Sequence, residues 1–228
     1  MFRIARVDYG TGFDVCIVSS DTDIGRSLRD GRDYERNIAD LLDRNTPRNC
    51  AFADFGAHWG IFSVYMALRG ADPVYAFEPD LINYYALERT IRINDLRGVI
   101  RPFPFAAWDR LEMRQLVIDP ENTGNHKIEV EGDPPHTERI HRTVLAVPAN
   151  ELIIPCRESD ALYAKFDCQG SEIRALRGCA GLNLKAAIVE RCFHEDEEIQ
   201  ALFESSEIHG DQMVCRNFGY PQISVGGT

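Results

Sequence analysis

The stretch DFGAHWG, residues 54–60, combines an acid, a histidine and two glycines between two apolar runs. The run before it, residues 50–53, predicts a buried strand, and the run after it, residues 61–68, predicts a helix. A glycine-rich turn between a strand and a helix lets the backbone approach a ligand closely, and the start of the helix offers unpaired N–H groups. The candidate cofactor contacts in this turn are Asp54, Gly56, Ala57, His58 and Gly60.

The chemistry of Asp54 favours one kind of ligand over another. The turn reads GxHxG, which is short of the GxGxxG pattern that cradles a dinucleotide pyrophosphate. A carboxylate at the strand end would repel a pyrophosphate but can pair with an ammonium group. S-adenosylmethionine carries an ammonium, a carboxylate and a sulfonium, so the turn fits this ligand better. The alternative for Asp54 is a carboxylate that caps the loop.

A second acid follows the next predicted strand. Glu78 ends VYAFE, where an open α/β fold places an acid that accepts hydrogen bonds from ribose hydroxyls. Because Pro79 follows, the alternative is an acid favoured by a helix dipole. The joint occurrence of Asp54, Glu78 and the two glycines favours the cofactor interpretation.

The third strand of the pattern ends in FPFAAWD. Ala106 and Ala107 leave room for a flat adenine ring, whereas Trp108 either stacks on that ring or fills the core. Together with Asp167, the further candidate cofactor contacts are Glu78, Pro79, Ala106, Ala107 and Trp108.

Two more carboxylates end consecutive predicted strands. Asp167 follows ALYAKF and Glu190 ends AAIVE, so both should point into the crevice above the sheet. Such carboxylates can share a proton, orient an acceptor or hold a divalent cation. His194 is a candidate base or third ligand, because an alcohol acceptor must lose its proton in a methyl transfer. The alternative for Glu190 and His194 is a solvated loop before an acidic helix.

The remaining basic side chains are weaker candidates. His58 either bonds the cofactor or acceptor, or stabilises its own loop, and Lys165 lies in a predicted buried strand and therefore needs a carboxylate partner. We expect the other three histidines of the middle segment to lie on the surface: His126, His136 and His141.

The elements that must position these residues alternate between strand and helix from Cys50 onward. Apolar strands of five or six residues separated by amphipathic helices predict a doubly wound, mostly parallel Rossmann-like α/β sheet. Residues 108–148 are polar and turn-rich, which predicts an irregular β-rich excursion. After it we expect a helix over residues 196–204 and two final strands in MVCRNFGYPQISV, joined at residues 219–221.

The first 47 residues form a separate segment of the pattern. Alternating apolar residues on both sides of a turn at residues 9–12 predict a hairpin. Helical spacing at Tyr34, Ile38 and Leu41, stopped by Pro47, predicts a helical lid. We therefore divide the chain into a hairpin and lid, residues 1–47, and a cofactor-binding domain, residues 48–228.

Composition limits the partners and the location. A net charge of −11 and a pI near 5.0 argue against a nucleic-acid partner, because phosphate binding needs a surplus of Lys and Arg. Seven scattered cysteines without a CxxC pair indicate reduced thiols of a cytoplasmic protein. Neither a signal peptide nor an apolar run of membrane-spanning length occurs, so we expect no membrane partner. Self-association into a homo-oligomer stays open.

The ordered series of motifs resembles the FkbM family of S-adenosylmethionine-dependent methyltransferases over about residues 34–190. The series is DFGAHWG, YAFEPD, IRINDLRG with Asn94, PFAAWD, NTG at residues 122–124, and AKFDCQGSEIRALRG followed by AAIVE. The family block K-x-D-x-E-G-x-E…L-x-G is matched by Lys165, Asp167, Gly170, Glu172, Leu176 and Gly178. The sequence departs from the family at His58, usually Asn, and at Gln169, usually Glu.

The resemblance implies a class I methyltransferase fold with S-adenosylmethionine across the carboxyl ends of the strands. It implies that Asp54, Gly56 and Gly60 surround the methionine part, that Glu78 binds the ribose and that Ala107 lies near the adenine. Tyr34 and Glu35 match a motif that precedes the core, and the resemblance implies one of two roles for them: they close over the cofactor or acceptor, or they belong to a partly buried lid helix. The resemblance favours O-methylation of a hydroxyl on a small natural product or sugar.

Three alternatives to this function stay open. The first is an N-methyltransferase of the same fold, and the second is an NAD-dependent oxidoreductase. The third is a catalytically silent cofactor-binding domain, which the departures at His58 and Gln169 keep open. Asp167 and Glu190 could also hold a divalent metal. We favour a site without a metal.

Overall fold

The structure, a computed structural model, describes residues 2–32, 34–130, 140–153, 161–191 and 195–219. Its strands are β1 Phe2–Asp8, β2 Gly12–Val18, β3 Ala51–Phe55, β4 Val74–Phe77, β5 Ile100–Phe103, β6 Ala106–Ala107, β7 Glu112–Ile118, β8 Lys127–Ile128, β9 Ile140–Val147, β10 Leu162–Phe166, β11 Leu184–Glu190, β12 Phe203–His209 and β13 Gln212–Phe218. Its α-helices are α1 Ile24–Arg29, α2 Arg36–Asn45, α3 Ile61–Leu68, α4 Leu81–Ile93, α5 Glu172–Arg177 and α6 Asp196–Ala201.

The main sheet has seven strands in the order β12-β13-β11-β10-β3-β4-β5. Strands β11, β10, β3, β4 and β5 pair in parallel, and β13 is antiparallel to both of its neighbours. The strands β3, β4 and β10 are buried along nearly their whole length and are apolar except for Asp54 and Lys165, as expected where helices cover both faces of a doubly wound sheet. The predicted mostly parallel α/β sheet is confirmed.

The first 47 residues pack onto this sheet as a hairpin and two helices. Strands β1 and β2 form an antiparallel pair outside the main sheet. The hairpin docks on α4, where the Cys16 N–H donates to Thr90 Oγ1 at 2.9 Å and the Asp14 N–H donates to Asn94 Oδ1 at 3.1 Å. Apolar side chains of this segment belong to the same buried cluster as those of α3 and α4.

The predicted β-rich excursion forms a second, four-stranded sheet in the order β6-β9-β7-β8. Strand β7 pairs with β9 along its length, and β8 leads back from the loop at residues 122–124, which we call the NTG loop. Strand β6 follows β5 directly, so this sheet stands beside the carboxyl end of the main sheet. It supplies one wall of the cavity described below.

The end of the chain differs from the sequence prediction. The predicted helix over residues 196–204 ends at Ala201, and Phe203–His209 is a strand instead. The two final strands are therefore β12 and β13, which turn at Gly210, whereas the predicted turn at Gly219 follows β13. Strand β12 is mostly exposed, so its backbone pairing with β13 decides its conformation more than burial does. Residues 220–228 lie outside the described residues.

Two further features bear on the composition argument. Five cysteines are free thiols in the described residues: Cys16, Cys50, Cys168, Cys179 and Cys215. Cys156 and Cys192 lie outside the described residues. Within the described ranges, the helices are too short or too polar for any of them to cross a membrane.

Candidate functional site

A cavity of about 310 Å³ opens at the carboxyl ends of β3, β4 and β10. The main sheet, helix α1 and the NTG loop each contribute side chains to its wall. The residues that line it are Asp23, Ile24, Ser27, Tyr34, Glu35, Gly56, His58, Phe77, Glu78, Pro79, Asn83, Ala106, Ala107, Leu116, Asn122, Thr123, Gly124, Asn125, His126, Ile128, Asp167, Cys168, Gln169 and Ser171.

The glycine turn, residues 56–60, is held against two neighbouring strands. The N–H groups of Gly56 and Ala57 both donate to the Phe77 carbonyl, at 3.1 and 2.9 Å. Gly56 has a φ of +77°, and a Cβ there would lie 1.8 Å from the Asp167 carbonyl oxygen. Gly60 has a φ of +87° and faces Leu87 rather than the cavity. Packing therefore requires both glycines, and of the predicted contacts in the turn only Gly56 and His58 line the cavity.

Glu78 lies at the tip of β4, where the sequence analysis expected a ribose acceptor. It lines the cavity and is buried, and its two oxygens accept the N–H groups of His58, at 2.9 Å, and Asp80, at 2.8 Å. Burial raises the pKa of Glu78 to about 8, and the nearby Asp80 carboxylate adds to the shift. Each carboxylate oxygen keeps a second lone pair that can accept a hydroxyl proton.

Asp54 differs from its predicted role as a cavity residue. The side chain is fully buried and does not line the cavity. Its Oδ2 accepts the Ser63 hydroxyl at 2.7 Å, and its Oδ1 lies 3.6 Å from Lys165 Nζ. The strand directs this carboxylate under the cavity wall because the buried Lys165 on the adjacent strand β10 needs a counter-charge. Asp54 therefore acts on the cavity through Lys165.

Lys165 joins two strand tips electrostatically. Its Nζ lies 3.0 Å from Asp167 Oδ2, so the expected carboxylate partner is present. Glu172 accepts the Cys168 N–H at 2.6 Å and the Gly170 N–H at 3.0 Å. Burial opposes the charge on Lys165, but the carboxylates of Asp167, Asp54 and Glu35 together raise its pKa above the ordinary value. The ammonium is therefore charged over the whole accessible pH range.

Asp167 and Glu190 come together as predicted, through Gln169. Gln169 Nε2 donates to Asp167 Oδ1 at 2.9 Å and to Glu190 Oε2 at 2.8 Å. Burial raises the pKa of Glu190 to about 10, and the adjacent Asp167 carboxylate adds to this shift. Burial works against ionisation of Asp167 too, but Lys165 and hydrogen bonds lower its pKa overall. The two carboxyls therefore share one proton, which Glu190 holds, and only Asp167 lines the cavity.

His58 is the first member of a hydrogen-bond chain that runs through Thr123 to Asp21, just before α1. Its Nε2 lies 2.9 Å from Thr123 Oγ1, and this hydroxyl lies 2.8 Å from Asp21 Oδ2. Because the single hydroxyl proton of Thr123 goes to the carboxylate, Nε2 must carry the imidazole proton. Burial lowers the pKa of His58 to about 3, so the ring is neutral. His58 thus ties the glycine turn to the NTG loop.

Tyr34 and Glu35 line the cavity from the lid side, just before α2. Glu35 Oε2 is buried and has no hydrogen-bond partner among the described residues. Burial raises the pKa of Glu35 to about 7, and the Asp167 carboxylate contributes next. Glu35 also has a left-handed backbone, with a φ of 48°.

Several other predicted residues have definite positions. Ala106, Ala107 and Pro79 line the cavity, whereas Trp108 is buried elsewhere and donates to Glu112 Oε1 at 2.7 Å. Trp108 therefore fills core, the second of its two predicted roles. Ala57 is buried and faces away from the cavity.

The histidine predictions have three outcomes. The prediction of a surface position for His126 is wrong, because it lines the cavity and its Nδ1 accepts the Asp119 N–H at 3.1 Å. His141 is exposed, as predicted. His136 and His194 lie outside the described residues, so the role predicted for His194 stays a prediction.

Sequence reasoning missed the lid side of the cavity. Asp21 is fully buried, where it accepts the Gly25 N–H at 2.7 Å and the Thr123 N–H at 2.8 Å. Asn83 bonds the Thr123 carbonyl at 2.9 Å. The NTG tripeptide was a usable signal for this loop, but Asp21 resembles an ordinary polar residue before a helix.

No group of three or more potential metal ligands is found in the described ranges.

The strand order and the position of the cavity define the methyltransferase class of α/β folds, and solved structures agree. A T. thermophilus 16S rRNA N2 G1207 methyltransferase in complex with AdoMet and guanosine is 13% identical, with a TM-score of 0.51, over 96% of this chain and 50% of that one. A Pyrococcus abyssi tRNA (uracil-54, C5)-methyltransferase in complex with S-adenosyl-L-homocysteine is 13% identical, with a TM-score of 0.51, over 94% and 44%. At such identities the likeness shows the fold alone.

Residues 54–220 match the family model of the methyltransferase FkbM domain, and the chain belongs to this family. A methyltransferase FkbM from Methylobacillus flagellatus KT is 18% identical over 73% of this chain and 43% of that one, with a TM-score of 0.48. The chain thus spans half or less of each of these three solved proteins. No curated protein sequence matches it. The chain therefore contains a methyltransferase FkbM domain.

Proposed function

We propose that this protein is an S-adenosylmethionine-dependent O-methyltransferase that acts on a hydroxyl of a small natural product or sugar. The observation that carries the proposal is the position of Glu78, which lines the cavity beside the glycine turn. Ribose hydroxyls can donate to the lone pairs that the two backbone N–H groups leave free on this carboxylate. The neighbouring apolar side chains of Ala106, Leu116 and Ile128 suit an adenine ring.

The chain's own residues supply positioning rather than covalent chemistry. S-adenosylmethionine, when bound, supplies a methyl group on a sulfonium that an acceptor oxygen can attack in line. Asp167 stays ionised beside Lys165 and lines the cavity, so it can accept a hydrogen bond from an acceptor hydroxyl and orient it. We propose this role for Asp167, and a supporting role for the protonated Glu190.

The acceptor class and the location follow from size and charge. A cavity of about 310 Å³ suits a small molecule. A net charge of −11 disfavours a polyanionic acceptor, although two solved relatives of the fold carry RNA substrates in their names. The five free thiols support a reducing compartment, and we propose the cytoplasm.

Calorimetry tests the cofactor part of the proposal. We expect S-adenosylhomocysteine to bind and NADH not to bind. Glu78→Gln should weaken S-adenosylhomocysteine binding about 10- to 100-fold, because the amide NH2 replaces one of the two oxygens that accept hydrogen bonds at this site. The exposed Glu197→Gln is the matched control and should bind as the wild type does. Tight NADH binding without S-adenosylhomocysteine binding would overturn the proposal in favour of an oxidoreductase.

Isotopic labelling tests the acceptor part. The protein is incubated with methyl-labelled S-adenosylmethionine and a metabolite extract of the source cells, and labelled products are identified by mass spectrometry. We expect a labelled methyl ether on a small molecule. A labelled N-methyl amine would contradict the O-methyltransferase assignment, and cofactor binding without any labelled product would support a silent binding domain.

A further inference from the structure

We propose that Glu35 binds the ammonium group of the cofactor's methionine part. This inference rests on the proposed dependence on S-adenosylmethionine. The sequence analysis assigned the ammonium to Asp54, but that carboxylate is buried under the cavity wall against Ser63 and Lys165. Asp54 is therefore not placed to contact the ammonium directly.

The carboxylates of Asp167, Glu78 and Glu35, which line the cavity, differ in the hydrogen-bond donors that their oxygens already contact. Each oxygen of Asp167 already has one partner, Lys165 at 3.0 Å and Gln169 at 2.9 Å. Both oxygens of Glu78 accept backbone N–H groups at the opposite strand tip. Glu35 Oε2 is buried and has no hydrogen-bond partner in the ranges that the structure describes. A buried acceptor without a donor costs free energy, and an ammonium donor would remove that cost.

The charge around Glu35 points to the same ligand. The carboxylates of Asp167 and Asp54 and the ammonium of Lys165 all act electrostatically on Glu35. Two of these carboxylates, Asp54 and Asp167, lie 3.6 and 3.0 Å from Lys165 Nζ, and Glu35 adds a third carboxyl to the same electrostatic neighbourhood. A second cation would balance this cluster, whereas an anionic or neutral group would not.

The backbone holds Glu35 in place for this contact. The residue has a left-handed conformation, with a φ of 48°, which is unfavourable for a non-glycine residue. The Tyr9 hydroxyl donates to the carbonyl of the preceding residue, Tyr34, and so ties this point of the chain to the hairpin. Strain that the surrounding structure maintains at a cavity wall is typical of ligand contacts.

Binding of the ammonium should also change the protonation of Glu35. Burial, and then the Asp167 carboxylate, raise the pKa of Glu35 to about 7, while Lys165 and the Tyr34 hydroxyl act in the opposite direction. Part of the ligand-free protein therefore carries a proton on Glu35 at pH 7. An ammonium beside the carboxylate favours its charged form, so binding should release that proton.

The test compares two ligands by calorimetry. S-adenosylhomocysteine has the ammonium, and 5′-methylthioadenosine lacks the whole amino-acid part. We expect Glu35→Gln to weaken S-adenosylhomocysteine binding about 10- to 100-fold and to leave 5′-methylthioadenosine binding within about twofold. Glu197→Gln, an exposed Glu-to-Gln change, should alter neither. Equal weakening of both ligands, or weakening of neither, would overturn the inference.

The wild-type protein supplies a measurement that needs no variant. In buffers of different ionisation enthalpy at pH 7, S-adenosylhomocysteine binding should release protons and 5′-methylthioadenosine binding should not release them from Glu35. Equal proton release with both ligands would contradict the assignment. If 5′-methylthioadenosine binds but S-adenosylhomocysteine does not, the inference fails while the nucleoside site stands. Absence of binding by both ligands would overturn the proposed function itself.

Discussion

The α-carbon of Gly56 lies against the main chain of Asp167, so that a Cβ at Gly56 would lie 1.8 Å from the Asp167 carbonyl oxygen. This contact joins the tip of β3 to the tip of β10, and no side chain fits between them. Both tips border the cavity, so their spacing determines the position of the cavity wall.

Gly56→Ala should therefore destabilise the protein by roughly 2–4 kcal/mol, because it combines a left-handed backbone with a backbone clash. The free energy of unfolding in denaturant measures this loss. Gly181→Ala is the matched control: its φ is +82°, but a Cβ there would meet nothing within 4 Å. The control should lose about 1 kcal/mol, and an equal loss in both variants would mean that the contact with Asp167 adds nothing.

Lys165→Met should cost about 3–5 kcal/mol, because it leaves the buried carboxylates of Asp54 and Asp167 without their cation. The loss should be smaller at pH 5 than at pH 8, since protonation of the carboxylates removes the uncompensated charge. Lys185→Met, an exposed lysine on the adjacent strand β11, should change stability by less than about 0.5 kcal/mol. Denaturant titrations at the two pH values check both statements. A loss in Lys165→Met that does not depend on pH would contradict the electrostatic explanation.

Glu190→Gln should stabilise the ligand-free protein at pH 8. The pKa of Glu190 is about 10 in the folded state and ordinary in the unfolded state, so between these values the folded state holds a proton that the unfolded state has lost. Wild-type stability therefore falls as pH rises through this window, by at most about 1.4 kcal/mol per pH unit from this group. The uncharged amide removes this contribution. Thermal unfolding from pH 6 to pH 9 should show a smaller pH dependence in the variant than in the wild type or in Glu197→Gln.

Thr123→Val should weaken the attachment of the start of α1 to the NTG loop. The change removes the hydroxyl that lies between His58 and Asp21, so a buried imidazole N–H loses its acceptor and a buried carboxylate loses one donor. We expect a loss of roughly 2 kcal/mol and faster amide hydrogen exchange at Gly25, whose N–H donates to Asp21. The exposed Thr143→Val on β9 should change stability by less than about 0.5 kcal/mol. An unchanged rate of amide hydrogen exchange at Gly25 would mean that the hydrogen-bond chain does not stabilise the start of α1.

The order of the main-sheet elements up to β11 follows from local periodicity, and the sequence alone predicted it. Short apolar runs separated by amphipathic helices are typical of a parallel sheet with helices packed on both faces. Strand ends carry the functional groups in such a sheet, which is why Glu78, Gly56 and Asp167 were found as cavity residues before any coordinates. Strand β12 was missed because its exposed, acidic sequence has no strand periodicity and depends on pairing with β13.

Which carboxylate faces the cavity was decided only by the tertiary structure. Asp54 turns under the wall because Lys165, distant in sequence, lies beside it on β10, and Glu35 reaches the cavity because the hairpin and lid fold over the sheet. His126 lines the cavity for a similar reason, since β7 and β8 bring its loop to the sheet edge. A sequence pattern reports the neighbours of a residue along the chain. The charge that a buried carboxylate meets comes from other strands, and folding alone brings that charge to it.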